Sequence, residues 1–117
     1  MDAHDLRDLP IFADLSRKQL ERIAHWSDDI DLPAGYRLLD QGSFPHEFFV
    51  ILEGTVDITK DGVPLATLGR GEILGEIALL ENERRTASVV AATPVRAAVM
   101  SRREFDEMRA APPALPV

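Results

Sequence analysis

In the stretch GEIALLENERRTASVV, residues 75–90, Glu76 follows a glycine and precedes Arg85 by nine positions. Each of these residue types suits one part of a small anionic ligand. Gly75 lets the backbone turn tightly or approach a ligand closely. Glu76 to Leu80 are good helix formers, enough for one or two turns, and a helix start offers unpaired N–H groups and the positive end of the dipole to an anion. Arg85 opens the next strand-like run with a planar guanidinium that can grip two phosphate oxygens at once. Thr86 adds a hydroxyl beside it. Glu76 would repel a phosphate but accept a hydrogen bond from a sugar hydroxyl, so the set describes a site for a sugar phosphate rather than a bare anion. The competing reading is a surface loop in which Arg85 pairs with Glu81 or Glu83, an interaction worth under about 1 kcal/mol. Spacing alone leaves both open.

The elements around this stretch must place it. Pro10 breaks the start of the chain and leaves a short turn carrying Leu6 and Leu9, with Ile11, Phe12 and Leu15 as further apolar anchors. Ser16 followed by Gln19 is a capping-box pattern, and the spacing predicts an amphipathic helix over 16–27 with Leu20, Ile23, Ala24 and Trp26 near one face. After residue 28 the chain changes to short β-type runs separated by Gly, Pro and Asp. IDLPAG turns at Pro33-Ala34-Gly35, YRLLDQGS ends at Gly42, and EFFVILEG is dense in Phe, Val and Ile. TVDIT alternates strictly, and KDGV is a hairpin signal because Asp-Gly tolerates the positive φ angles of a tight turn. TASVVAATPVRAAVM makes two strands broken at Pro94, and SRREFDEMRA makes a closing helix capped by Ser101 with Glu104. Pro112 and Pro113 end that helix.

Many short strands at near-regular spacing predict a mainly β sandwich or barrel with flanking helices. The expected organisation of the 117 residues is one domain, with a helical N-terminus over 1–27, a β-barrel over 28–100, a closing helix over 101–110 and a tail over 111–117.

Composition narrows the function. A net charge of −7 and a pI near 4.8 argue against a nucleic-acid or anionic-membrane surface, which needs many phosphate-facing Lys and Arg. One buried phosphate needs only local donors. Cysteine is absent, so no disulfide, thiolate nucleophile or Cys-bound metal can form. No run approaches the roughly 18 apolar residues of a membrane span, and the acidic start MDAHDLRDLP has no signal-like stretch. The expectation is a soluble cytoplasmic protein. His4, His25 and His46 are scattered without ligand spacing, and no nucleophile–base pair is visible, so neither an enzyme nor a metal site is expected.

The stretch 75–90 resembles the phosphate-binding cassette of the cyclic nucleotide-binding domain family, whose usual form is close to F-G-E-[LI]-A-L, a short loop, then R-[TSA]-A-[TS]-V. YRLLDQGSFPHEFFVILEGTVDI and RGEILGE are similar to the flanking strands and glycine corners of that family, and the resemblance covers roughly residues 9–110. It implies an antiparallel jelly-roll barrel with N-terminal helices, a cassette over 74–89 with a short helix, and a C-terminal helix. It further implies that Glu76 binds the ribose 2′-hydroxyl and Arg85 the exocyclic phosphate oxygens. Amides near Gly75, Ile77 and Ala78 would complete the cradle, with Thr86 adding a hydroxyl or amide contact. Ile58, Leu65 and Leu74 become candidates for the sugar and base side of the pocket, and each also suits plain core. Arg84 is expected at the surface.

Two departures from the family pattern leave the phosphate chemistry untouched: Ser43 where Asp is usual after Gln-Gly, and Ile73-Leu74 in place of a frequent Phe. A third bears on the base. Family members usually continue into a helix that lids it, and AAPPALPV stands where that helix would begin, so an unlidded purine is expected. The function implied is a standalone sensor that binds a cyclic nucleotide, cyclic AMP favoured over cyclic GMP because the sequence has a bacterial look, and acts on a separate effector protein. Phosphate capture would move the cassette onto Arg85 and shift the residues from 101 onward. No cofactor, nucleic acid or membrane is implied, and the flanking helices allow a homodimer. The alternative keeps the fold without nucleotide, as an interaction or dimerisation module. A helix-turn-helix regulator would need residues after the last helix that this sequence does not hold.

Overall fold

The computed structural model describes residues 6–7, 9, 12, 15–44, 46–75 and 84–101. Helix α1 spans Arg17–Trp26, starting where the capping box predicts. The Gln19 N–H donates to Ser16 Oγ at 3.2 Å, and the Ser16 N–H donates to Gln19 Oε1 at 2.8 Å. Two of the donors orphaned at a helix start are thereby satisfied. At the other end the Ser27 N–H and hydroxyl both donate to the Ile23 carbonyl, at 3.0 and 2.7 Å, and the chain leaves in an extended conformation. Ahead of α1, the amides of Leu9, Phe12 and Leu15 donate to the carbonyls three residues earlier. That step of three sets Leu6, Leu9 and Phe12 on one buried side.

Among the described residues eight strands follow: β1 Asp28–Leu32, β2 Arg37–Leu39, β3 Glu47–Glu53, β4 Val56–Lys60, β5 Val63–Leu68, β6 Ile73–Leu74, β7 Ser88–Ala91 and β8 Val95–Ser101. They pair into two four-stranded sheets, in the order β1-β8-β3-β6 and β2-β7-β4-β5, with antiparallel neighbours throughout. The fold is therefore mainly β and jelly-roll-like. Its sheets stack on each other, and among the described residues their hydrogen-bond ladders do not close into one barrel.

The apolar run of β3 shows why it reads as continuous. Phe48, Val50 and Leu52 pack with Leu6, Leu9, Phe12, Leu20, Ile23 and Ala24, on the helical side of the first sheet. Phe49 and Ile51 point the other way and join Leu38, Val56, Val89, Ala91 and Val95 between the sheets. A strand alternates its side chains between faces, so burial of both faces demands apolar residues at every position. β8 does the same with smaller groups: Ala98 and Met100 meet the helical layer, and Ala97 meets the inter-sheet core.

The chain crosses from the first sheet to the second at Gly54, between β3 and β4. Its φ is +90°, and a Cβ there would collide with the Pro94 carbonyl oxygen and come within 2.9 Å of Thr93 Oγ1. Thr93 Oγ1 in turn accepts from the Thr55 N–H at 3.0 Å, which fixes the crossing to the break between β7 and β8. The predicted hairpin joins β4 to β5 at Asp61-Gly62, where Asp61 has φ of +52°.

β1 is an edge strand bearing Asp28, Asp29 and Asp31. Arg96 on β8 grips Asp29 side-on, with Nε 3.0 Å from Oδ1 and Nη2 2.6 Å from Oδ2. This hydrogen bond holds the Asp29 carboxyl below its ordinary value of 3.8, against a smaller opposing effect of burial. β8 runs to Ser101, where the sequence places the cap of the closing helix. Residues 102–117, and with them that helix and the tail, lie outside the described residues.

Candidate functional site

The loop that carries the predicted anion site leaves β6 at Leu74 and enters β7 at Ser88. Arg85 lies on its returning leg and is only 6 % exposed. Its backbone pairs with the glycine corner between β2 and β3: the Gly42 N–H donates to the Arg85 carbonyl, and the Arg85 N–H to the Ser43 carbonyl, both at 2.8 Å. The side chain runs inward from there. Nη1 donates to the Gly75 carbonyl at 2.8 Å, and Nη2 to the Glu47 carbonyl at 2.5 Å. Burying a guanidinium is unfavourable unless its N–H groups find acceptors, and carbonyl dipoles supply them here.

Gly75 is required on two grounds. Its φ is +89°, and a Cβ would lie within contact of the Arg85 guanidinium, overlapping Nη1 and standing 3.1 Å from Cζ. The glycine and the arginine that the sequence singles out are thus one unit: the missing side chain makes the space that the guanidinium fills. Gly75 and Arg85, on the two described legs of the loop, meet at this contact, which fixes a positive charge between them.

The other predicted residues fall into four groups. Thr86 is exposed beside Arg85. Leu74 is buried in the inter-sheet core, and Ile58 packs against that core, so both have a structural role whatever else they touch. Leu65 stands apart, 57 % exposed on the edge strand β5 beside a bulge in its pairing with β4. Glu76, Ile77 and Ala78, and the short helix predicted to start there, lie outside the described residues. Arg84 is at the surface as expected, its guanidinium 4.5 Å from the centre of the exposed Phe44 ring.

Sequence reasoning missed Glu47, because what Arg85 uses is the main-chain carbonyl, which has no signature in residue type. It also missed Gln41 and Asp61, which bond to each other beside the glycine corner. Among the described residues no cluster of three or more His, Asp and Glu is placed to hold a metal ion.

A family model described as the cyclic nucleotide-binding domain matches residues 30–111. The cAMP-dependent protein kinase regulatory subunit of Aspergillus niger is 33 % identical over 105 residues, covering 88 % of this chain and 26 % of that protein. A solved structure of a cAMP-binding acyltransferase from Mycobacterium smegmatis is 35 % identical with a TM-score of 0.77, covering 94 % of this chain and 36 % of that one. The regulatory subunit of a cAMP-independent protein kinase A from Trypanosoma brucei superposes with a TM-score of 0.85 at 26 % identity, covering 89 % of this chain and 39 % of that one. The chain therefore spans about a quarter of the length of the curated relative and under half of either solved chain.

Proposed function

The chain belongs to the cyclic nucleotide-binding domain family, and on that premise we propose that it captures a cyclic nucleotide, cyclic AMP in preference to cyclic GMP, as a regulatory module acting on a separate effector. The observation that carries this reading is the buried guanidinium of Arg85, held by the Gly75 carbonyl at the start of its own loop and the Glu47 carbonyl at the start of β3. A cyclic phosphate presents two exocyclic oxygens with a single negative charge. An arginine already fixed in place meets such a pair with little further loss of side-chain freedom. Glu76 then takes the ribose 2′-hydroxyl, the amides of Gly75, Ile77 and Ala78 complete the phosphate cradle, and Thr86 adds a contact beside the arginine. Exposed Leu65 is the apolar group among the three lining candidates best suited to meet the base.

Preference for cyclic AMP is supported by the names of the Aspergillus and Mycobacterium relatives. The kinase-subunit relative makes a protein kinase one effector class to test. Signalling on this reading is a population shift: the ligand favours whichever arrangement of the loop binds it more tightly. The role is binding and regulation, without catalysis by this chain. A cytoplasmic setting belongs to the same proposal, and fractionation of cells expressing the protein decides it.

A second reading keeps the fold without nucleotide, as an interaction or dimerisation module. It draws on two observations: Arg85 already has acceptors within its own chain, and the Trypanosoma relative is named cAMP-independent. Calorimetric titration with cyclic AMP and cyclic GMP, beside an Arg85→Ala variant shown to be folded by circular dichroism, separates the two. Micromolar-range binding that disappears in the variant supports the sensor. No heat from folded wild-type protein with either ligand overturns it in favour of the interaction module.

A further inference from the structure

Among the described residues, the glycine corner that carries the Arg85 backbone is hydrogen-bonded to the tip of the β4–β5 hairpin through one side chain, that of Gln41. Gln41 stands between β2 and the corner, and its N–H donates to Ser88 Oγ at 2.9 Å, at the start of β7. Its carboxamide turns instead toward the tip of the β4–β5 hairpin. Nε2 donates to Asp61 Oδ1 at 2.7 Å, while Oε1 accepts from the Asp61 N–H at 2.8 Å. The pair is reciprocal, joins residues 20 apart in the chain, and involves the one described non-glycine residue with positive φ. The Asp61 backbone donor and carboxylate are thus both engaged by a single carboxamide. One residue further on, Gly42 donates to the Arg85 carbonyl, and beyond it Ser43 accepts from the Arg85 N–H. The corner also bonds to itself, with the Ser43 hydroxyl donating to the Asp40 carbonyl at 2.6 Å. The corner is thus bonded within itself and continues directly from β2, and Gln41 links it to the β4–β5 hairpin tip across the same sheet.

We propose that Gln41 is a positioning residue for the ligand, clamping the β4–β5 hairpin tip to the corner that holds Arg85 in place. This inference rests on the nucleotide-binding reading. Among the described residues Gln41 is hydrogen-bonded to Ser88 and Asp61 and to none of the candidate ligand-binding residues. It acts through the two main-chain bonds between the corner and Arg85, and preorganisation of this kind raises affinity by lowering the ordering left to be done on binding. The same chain of contacts makes the hairpin tip, remote from Arg85 in sequence, a place where contact with another molecule alters ligand affinity.

The test uses Gln41→Ala, Gln41→Glu, and Gln41→Glu combined with Asp61→Asn. The second sets a carboxylate against a carboxylate. The third exchanges acceptor and donor across the same contact, since a carboxylate at 41 accepts from both the backbone and the carboxamide at 61, and Asn tolerates positive φ. Two readouts are taken: calorimetric affinity for cyclic AMP, and amide hydrogen exchange at Gly42 and Arg85. Gln41→Ala and Gln41→Glu are expected to weaken cyclic AMP binding about fivefold or more, the equivalent of one net hydrogen bond. Exchange at Gly42 and Arg85 should accelerate while the amides of Ile51 and Ala91 stay unchanged, and the double variant should restore both readouts. A merely stabilising surface contact would leave affinity unmoved or would speed exchange everywhere, and either result overturns the proposal. Failure of the double variant to rescue, with its fold intact, overturns it as well. If wild-type protein binds no cyclic nucleotide, the functional reading fails first; exchange at Arg85 then still decides whether Gln41 positions it.

Discussion

The Gly75 carbonyl accepts from Arg85 Nη1 at 2.8 Å, and the same glycine has no room for a side chain because the guanidinium occupies that space. Acceptor and void come from one residue, so the contact fails in two ways when Gly75 is changed.

Gly75→Ala should destabilise the protein by about 1–3 kcal/mol through backbone strain alone. It should also displace the guanidinium, so ligand binding falls out of proportion to stability. Urea unfolding gives the first quantity and calorimetric titration the second. A variant with native affinity would show that Arg85 does not depend on this contact.

Arg85→Lys keeps the charge but gives up the fork that bridges two carbonyls. Loss of one charge-assisted hydrogen bond in a buried place should lower stability by roughly 1.5–3 kcal/mol. Arg85→Ala should be worse, since both the Gly75 and Glu47 carbonyls lose this donor. The order wild type, lysine, alanine in denaturant midpoint is the expected result.

At the sheet crossing, Gly54→Ala sets a methyl group against the Pro94 carbonyl at a φ of +90°. The Pro94 oxygen belongs to the main chain, so relief requires backbone movement at the β7–β8 break. The expected loss exceeds about 2 kcal/mol. Thermal unfolding of the variant, with ligand absent, measures it.

Acid should weaken the attachment of β1. Arg96 depresses the Asp29 carboxyl below 3.8, so its contribution is complete above that value and is lost as pH falls through the lower, folded-state value. The pair is partly exposed, which limits the effect to under about 1 kcal/mol. Urea midpoints between pH 6 and pH 2.5 should fall less steeply in Asp29→Asn than in wild type.

Much of the fold was legible because the signals are local. Ser16 and Gln19 lie one helical turn apart and declare the start of α1, and Asp61-Gly62 declares its hairpin. The two-sided burial of β3 was visible as an unbroken apolar run, but which residue faces which layer depends on α1 and the second sheet, far away in the chain. The expected barrel became two stacked sheets because closure depends on ladder partners that no single strand specifies. At the site, Gly75 and Arg85 stood out by type and spacing. Glu47 did not, since a main-chain carbonyl is the same in every residue. Leu74, which the sequence left open between pocket and core, packs in the inter-sheet core, where its two-residue strand pairs with β3. Glu76, Ile77 and Ala78 lie outside the described residues.

The two-sided strand β3 has a consequence for how the protein can vary. Phe48 and Phe49 are covalent neighbours, yet they answer to different company: one to the helical layer, the other to the inter-sheet core. A volume change at Phe48 is compensated by residues such as Leu20 or Ile23, and one at Phe49 by residues such as Leu38 or Val89. Side by side in sequence, the two positions are therefore nearly independent in energy, while each is coupled to partners many residues distant. In a set of diverged relatives, correlated substitution should skip the adjacent position and link β3 alternately to one layer and then the other.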